Sequence, residues 1–393
     1  MLDVRDPKHY SSWIEVSASA LLKNLAVFKK ISRETFQIGA VLKGNAYGHG
    51  LYPVFSVIRT QVDAIYVIAA QDAFLVREWE TKHEWAPQRI IVIGAITLTE
   101  AQRCSRENIE VVIGGLEWRD YWKVLAKQNL SLKVHLHLDT GLSREGFRNE
   151  SLLEDLGFLK EAKNTLKVVA WMSHFSNTED VTEQTYALSQ LSAFKKMGQR
   201  LQKFLRLKGP IEEHLSASAG ALVLPKAQLS TARIGISLYG LWPSSEARIS
   251  SQFILKNLPT LVPALTWKCK SQVIKWIKKG SYVGYGCTYR CTQDTRIAVF
   301  PVGYFDGYPR MLSGKAHVLI QQKRCPVIGR VMMNHLIVDV TQIRSKASRL
   351  EAVLLGSDKK ETLPAESLAA WAETIHYELV TRIGPHLPRI VVD

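Results

Sequence analysis

The segment AVLKGNAYGHG at 40–50 offers a reactive amine in a setting that could use it. Lys43 closes an apolar run of strand formers. Its stem would lie among apolar residues and its head at the strand's C-terminal end, which in an α/β barrel is the mouth where chemistry occurs. Read alone, such a lysine is either a nucleophile or a surface lysine snorkelling at a strand end. Gly44, Gly48 and Gly50 allow the backbone to approach a ligand closely, and Tyr47 adds a hydroxyl four residues on. His174, at the end of WMSHF, reads by itself as a core histidine bonded to backbone. Arg233 reads alone as a surface or interface ion-pair residue. Tyr285, between glycines in VGYGCTY, reads alone as packing or an edge residue, with Tyr289 close enough to be mistaken for it.

These residues need elements to hold them. Eight strand-like runs follow one another: FQIGAVLKGN, AIYVIA, RIIVIGAI, EVVIG, KVHLHLDT, VVAWMSHF, EEHLSAS and RIGISLYG. Helical periods separate most of them, among them SASALLKNLAVFKKI with Ser17 or Ser19 as N-cap, QDAFLVREWETK and the long VTEQTYALSQLSAFKKMGQRLQKFLRL. Strand–helix alternation of this kind predicts a parallel (β/α)8 barrel of TIM type over 12–255, while periodicity alone leaves a doubly wound sheet open. Beyond about 255 short strand-like segments dominate until ESLAAWAETIHYELVTRI. The reading is an α/β chain with a mainly β C-terminal domain over 256–393, residues 1–11 packing with the latter.

The 393 residues fit two domains, and 46% apolar with 22% charged residues argues for globular folding rather than disorder. The longest apolar run, Ile91–Ile96, is strand-sized and far short of the ~18–20 residues of a membrane span. Five cysteines without a CxxC pair (Cys104, Cys269, Cys287, Cys291 and Cys325) predict free thiols in a reducing, cytoplasmic setting. Lys+Arg 51 against Asp+Glu 36 gives +15, which admits nucleic acid as a partner. The basic residues are dispersed, however, and the densest stretch, WKCKSQVIKWIKKG at 267–280, alternates like a half-buried strand with a solvated face.

AVLKGNAYGHG resembles the cofactor-lysine motif of the alanine racemases. HLHLDTGLSREGF, WMSHFS, HLSASAG, RIGISLYG, VGYGCTYR, PVGYFDGYPR, GRVMMN and TIHYE follow in that family's order and at similar spacing over nearly the whole chain. The resemblance implies a barrel with a C-terminal β domain, pyridoxal 5'-phosphate as cofactor, no metal, and interconversion of L- and D-alanine that supplies D-alanine for peptidoglycan. A racemase of the same fold with broader specificity, acting on Ser, Lys or Arg, is the alternative. The family is a homodimer with active sites shared between subunits; neither a nucleic-acid nor a membrane partner is implied.

Residue by residue, the resemblance implies that Lys43 forms the Schiff base and serves as one base, with Tyr285 as the other. Tyr47, Arg144, His174, Ser218, Arg233, Gly235, Ile236 and Tyr377 would join Lys43 in cofactor binding. Ser218, the Gly235 and Ile236 amides and the Tyr47 and Tyr377 hydroxyls would ring the phosphate. Arg233 would meet the ring nitrogen and hold His174, and Arg144 the phenolic oxygen. Arg144 would also bind the substrate, together with Met333, whose amide would meet the substrate carboxylate, and Tyr304, which would restrict the pocket. The sequence departs from the family at His137, where many members carry a carbamylated lysine, and at Ala217, Asn334 and His376. A neutral His137, a bridging anion such as chloride, or Asp139 as a carboxylate for Arg144 are the expected replacements.

Overall fold

A computed structural model describes residues 9–31, 36–179, 181–255 and 258–393. Strand β1 is Ser12–Ser17. It is followed by β2 Gln37–Val41, β3 Ala64–Val67, β4 Ile90–Val92, β5 Glu110–Ile113, β6 Leu132–His137, β7 Leu166–Met172, β8 Glu212–His214 and β9 Thr231–Ile234. The last eight form one parallel sheet in the order β8-β7-β6-β5-β4-β3-β2-β9. Bonds from Ser230 N to Glu213 O (2.9 Å) and Arg233 N to Ser216 O (3.0 Å) join β9 back to β8. That closure decides for the barrel over the doubly wound sheet. Every residue of β3, β4 and β5 is buried, as expected for parallel strands covered on both faces.

The outer helices follow from local signals. Leu98–Arg106 starts at a capping box in which Thr97 accepts from the Glu100 amide and Glu100 reaches back to the Thr97 amide. Thr185–Leu205 buries Ala187, Leu191, Phe194, Met197 and Leu201 at three-to-four spacing and stops at left-handed Arg206. This unit comprises 22–43 and 55–262.

The second unit comprises the described residues of 1–21 together with 44–54 and 263–393. β1 pairs antiparallel with Leu265–Lys270 and parallel with the edge strand Arg389–Val392 in a mixed seven-stranded sheet. Residues 12–17, read from the sequence as barrel, therefore belong to this sheet. The strand-like runs read from the sequence begin only at FQIGAVLKGN, and local alternation does not name a strand's partner. The stretch 44–54 also lies in this unit, so the 12–255 span expected for the barrel starts later, at 22, and is interrupted once. Of the expected packing of 1–11, residues 1–8 lie outside the described residues.

Ser17 is the cap chosen for helix Ala18–Ile31, its hydroxyl accepting from the Ala20 amide at 3.0 Å. Leu265–Lys270 alternates buried and half-buried residues as predicted, but Val273–Ile277 is largely exposed, with Trp276 at 62%. The helical period near the C-terminus is two short helices, Ala365–Trp371 and His376–Thr381, separated by left-handed Glu373.

Candidate active site

Lys43 follows β2 by two residues and is the last residue of the barrel unit before the chain enters 44–54. Its ammonium is disfavoured by burial, then by the charges of Arg144 and Arg233, with Glu145 opposing, so its pKa lies below the usual lysine value. A desolvated amine among cations is a better nucleophile and base than a surface lysine. Its Nζ has no hydrogen-bond or ion-pair partner among the described residues.

Arg233, on β9, is 4% exposed. Nη1 donates to His214 O (2.5 Å) and His214 Nδ1 (2.9 Å); Nη2 donates to Ser173 O (2.6 Å) and, more weakly, to His174 Nδ1 and Leu215 O (both 3.3 Å). Its Nε–H has no acceptor among the described residues, which leaves one donor of a fully fixed guanidinium for a ligand. Burial lowers its pKa to about 10, so it remains a cation at neutral pH. His174 is pushed down to about 3 by burial and by Arg233, Arg144 and Lys43. It is neutral, and because Nδ1 accepts from Arg233, its proton sits on Nε2 as a free donor.

Ser218 is buried, and its hydroxyl accepts from the Gly235 amide at 3.0 Å and the Ser237 amide at 3.4 Å. The Ser237 hydroxyl is buried without a partner. Ser218, Gly235, Ile236 and Ser237 thus gather small donors at the ends of the late barrel strands, where barrels bind phosphate. Ser237 was missed in the sequence; the RIGIS motif contained it, but nothing local distinguished its hydroxyl.

Arg144 is exposed and makes no hydrogen bond or ion pair among the described residues. His137 is 3% exposed with an unpartnered Nδ1, and the Glu145 carboxylate approaches that nitrogen at 3.7 Å. Burial, Arg233 and Arg144 lower its pKa to about 4, in keeping with the neutral ring expected. Asp139 does not serve Arg144: its carboxylate accepts from the Gly141 and Ser143 amides, both at 3.0 Å, and ties down the loop.

The β unit carries a second group of the residues singled out in the sequence. Residues 44–47 form one left-handed turn, with φ of 63° at Gly44, 54° at Asn45, 53° at Ala46 and 51° at Tyr47. Three successive non-glycine residues there hold about 1–2 kcal/mol of strain each. The turn is held by Gly48 N to Gly44 O and Gly50 N to Asn45 O, both 2.9 Å, and by Asn45 Oδ1 accepting from Leu51 N at 2.8 Å. Gly48, at φ 80°, lies so near Val380 that an added Cβ would sit 1.8 Å from its carbonyl oxygen. Tyr47 is buried, its pKa raised to about 12 by burial, and its ring lies 6.3 Å from that of Tyr377.

Tyr285 stands between left-handed Gly284 and Gly286 and is 71% exposed, its hydroxyl unbonded among the described residues. It borders a cleft of about 530 Å³ shared with Tyr304, Arg330, Met333 and Asn334. Bonds from Tyr304 N to Met332 O and Phe305 N to Met333 O, both 3.0 Å, fix the two sides of that cleft to each other. Tyr304 and Met333 are therefore brought together, as are Tyr47 and Tyr377, while Lys43, Arg144, His174, Ser218, Arg233, Gly235 and Ile236 sit in the barrel unit.

Comparison with known proteins agrees along the whole length. Residues 16–243 match the family described as "Alanine racemase, N-terminal domain" and 264–391 the family described as "Alanine racemase, C-terminal domain". Among relatives, the alanine racemase of Leptospira interrogans serovar copenhageni is 36% identical over 98% of this chain and 96% of its own. That of Methylacidiphilum infernorum is 34% identical over 98% and 93%. Among solved structures, alanine racemase from Bacillus anthracis with bound L-Ala-P superimposes with a TM-score of 0.88 at 29% identity, covering 99% of this chain and 96% of that one. Two family matches that together span both units, joined to relatives above 30% identity, establish that the chain belongs to the alanine racemase family.

Proposed function

We propose that this protein is an alanine racemase that interconverts L- and D-alanine with pyridoxal phosphate, in the cytoplasm, as a source of D-alanine for peptidoglycan. The observation that carries this reading is Lys43, an amine with a lowered pKa placed beside a guanidinium that retains one unspent donor. The donors of the barrel unit fit the cofactor: an amine for its aldehyde, the Arg233 Nε–H for its ring nitrogen, and Ser218, Gly235 and Ile236 for its phosphate, while Tyr47 and Tyr377 are assigned to the phosphate by the family resemblance. When bound, the cofactor supplies the electron sink that acidifies the substrate's α-proton.

In this reading Lys43 Nζ moves that proton on one face of Cα and Tyr285 Oη on the other. A phenol with a pKa near ~10 is a weak base at neutral pH unless donors favour its phenolate. The free Nε2–H of His174 is such a donor. Arg233 keeps its own protons, so it orients and polarises the ring nitrogen without protonating it, which favours proton exchange over decarboxylation or transamination. Arg144 and the Met333 amide receive the substrate carboxylate, and Tyr304 limits the side chain that fits. That restriction, and relatives named alanine racemases, favour alanine over a broader range of amino acids.

Tyr285, Trp276, Phe305 and Met333 are 71%, 62%, 62% and 55% exposed, an apolar set that suits an interface. We assign it to a C2 homodimer in which Tyr285 and Met333 serve the lysine of the other subunit. Each active site then draws Lys43 from one subunit and Tyr285 and Met333 from the other. A racemisation assay of the cofactor-loaded protein over a panel of L-amino acids tests the function. Turnover of alanine above all others is expected, and turnover of another amino acid in preference to alanine would overturn the assignment.

A further inference from the structure

The barrel interior holds a chain of side chains that the roles above leave unused. Glu110 on β5, His135 on β6 and His214 on β8 are 4%, 0% and 0% exposed. His135 Nε2 lies 2.8 Å from Glu110 Oε2, His135 Nδ1 2.8 Å from His214 Nε2, and His214 Nδ1 2.9 Å from Arg233 Nη1. At the far end Arg89 bridges Glu110 at 2.7 Å and Glu212 at 2.8 Å. Unbroken polar contacts at this depth are costly unless every member is satisfied.

The two ends dictate where the protons lie. Arginine only donates, so His214 Nδ1 accepts from Arg233 and the proton of neutral His214 is on Nε2. That Nε2–H donates to His135 Nδ1. The His135 proton is then on Nε2 and donates to the Glu110 carboxylate. Burial pushes Glu110 up, but hydrogen bonds from His135 and Arg89 outweigh it and leave its pKa at about 2, so it is a permanent acceptor. Burial and Arg233 hold His214 well below the usual histidine value. Every bond runs one way, from Arg233 to Glu110. In the reverse order a His214 Nδ1–H would face an Arg233 N–H, and the guanidinium would lose an acceptor.

We propose that Glu110, His135 and His214 are positioning residues for Arg233, locking both imidazoles as the Nε2–H tautomer so that the guanidinium stays fixed and its Nε–H remains unspent for the bound ring. The catalytic part of this inference rests on Arg233 as the ring contact; the proton order stands independently of it.

Neutron diffraction from the deuterated, cofactor-loaded enzyme near neutral pH reads the proton order directly. Deuterium is expected on Nε2 of both His135 and His214, and deuterium on Nδ1 of either ring overturns the proposal. Glu110→Gln tests the consequence, because the isosteric amide can offer its NH2 to His135 and reverse the chain. Its kcat for alanine should fall about tenfold, the scale of one hydrogen bond to a charged group, with KM held within about twofold. The absorption maximum of the bound cofactor should shift as well. A folded Glu110→Gln enzyme with unchanged kcat and absorption overturns the positioning role. A wild-type protein that shows this proton order but does not racemise alanine supports the chain and refutes the assigned reaction instead.

Discussion

Lys43 must be deprotonated to act, and its surroundings push that way: burial, then Arg144 and Arg233, disfavour the ammonium. Borohydride treatment of the loaded protein should therefore leave pyridoxyl on a peptide containing Lys43, and label on another lysine would refute the assignment. Lys43→Ala should lose nearly all activity, since attachment point and base disappear together. Tyr285→Phe should spare proton exchange from D-alanine more than from L-alanine, because the resemblance assigns lysine to the D face; equal single-turnover losses with both enantiomers would contradict it. His137 poses a subtler question, with its unpartnered Nδ1 and the Glu145 carboxylate at 3.7 Å. His137→Ala should cost about 1–2 kcal/mol in cofactor affinity or turnover if the ring supports Arg144. Activity indifferent to that change and to chloride would reduce His137 to packing.

At the scale of an element, the left-handed turn 44–47 is the device that follows the lysine. Such strain persists only where the surroundings over-determine it. Here they do, through Asn45 Oδ1 on the Leu51 amide, Gly48 against the Val380 carbonyl, and Arg389 donating to Gly48 O at 3.0 Å. Asn45→Ala removes one bond and a side chain that tolerates this conformation, and should lower stability by about 1–2 kcal/mol. Gly48→Ala meets both a positive φ and a backbone oxygen, and should cost more than about 2 kcal/mol. Urea denaturation measures both; a Gly48→Ala protein as stable as wild type would mean that the turn does not need this close approach.

For the whole molecule, buried neutral histidines set the response to acid. Burial is the leading cause that lowers His49 and His137 to about 4 and His174 to about 3, from 6.5. With folded values below the unfolded one, the unfolded chain binds protons the native chain lacks, so stability is complete above pH 6.5 and falls as the pH drops towards 4. Each group adds about 1.4 kcal/mol per pH unit to that slope. The Tm should decline through this window; a flat Tm would show that these rings are not held neutral. The shared-site reading is tested by mixing inactive Lys43→Ala with inactive Tyr285→Phe protein. Activity should return on subunit exchange, because one site of each mixed dimer keeps both bases. No rescue after proven exchange would mean that each chain completes its own site.

The order of strands and helices through residue 240, the change of texture near 255, and the motifs around Lys43, Arg233 and Tyr285 were legible in the sequence, because burial and turn chemistry imprint short-range periods on it. Partners across long separations were not. β1 alternates as any half-buried strand would, and only the fold set it between Leu265–Lys270 and Arg389–Val392. EVVIG read as an apolar strand, yet its Glu110 meets His135 25 positions away, and His135 meets His214 79 positions away. Asp139, equally placed by alternation to serve Arg144, was taken by the Gly141 and Ser143 amides. A residue's type limits what it can donate or accept; barrel closure decided which acceptor lay within 3 Å, and so which of Arg233's five donors was left for a ligand.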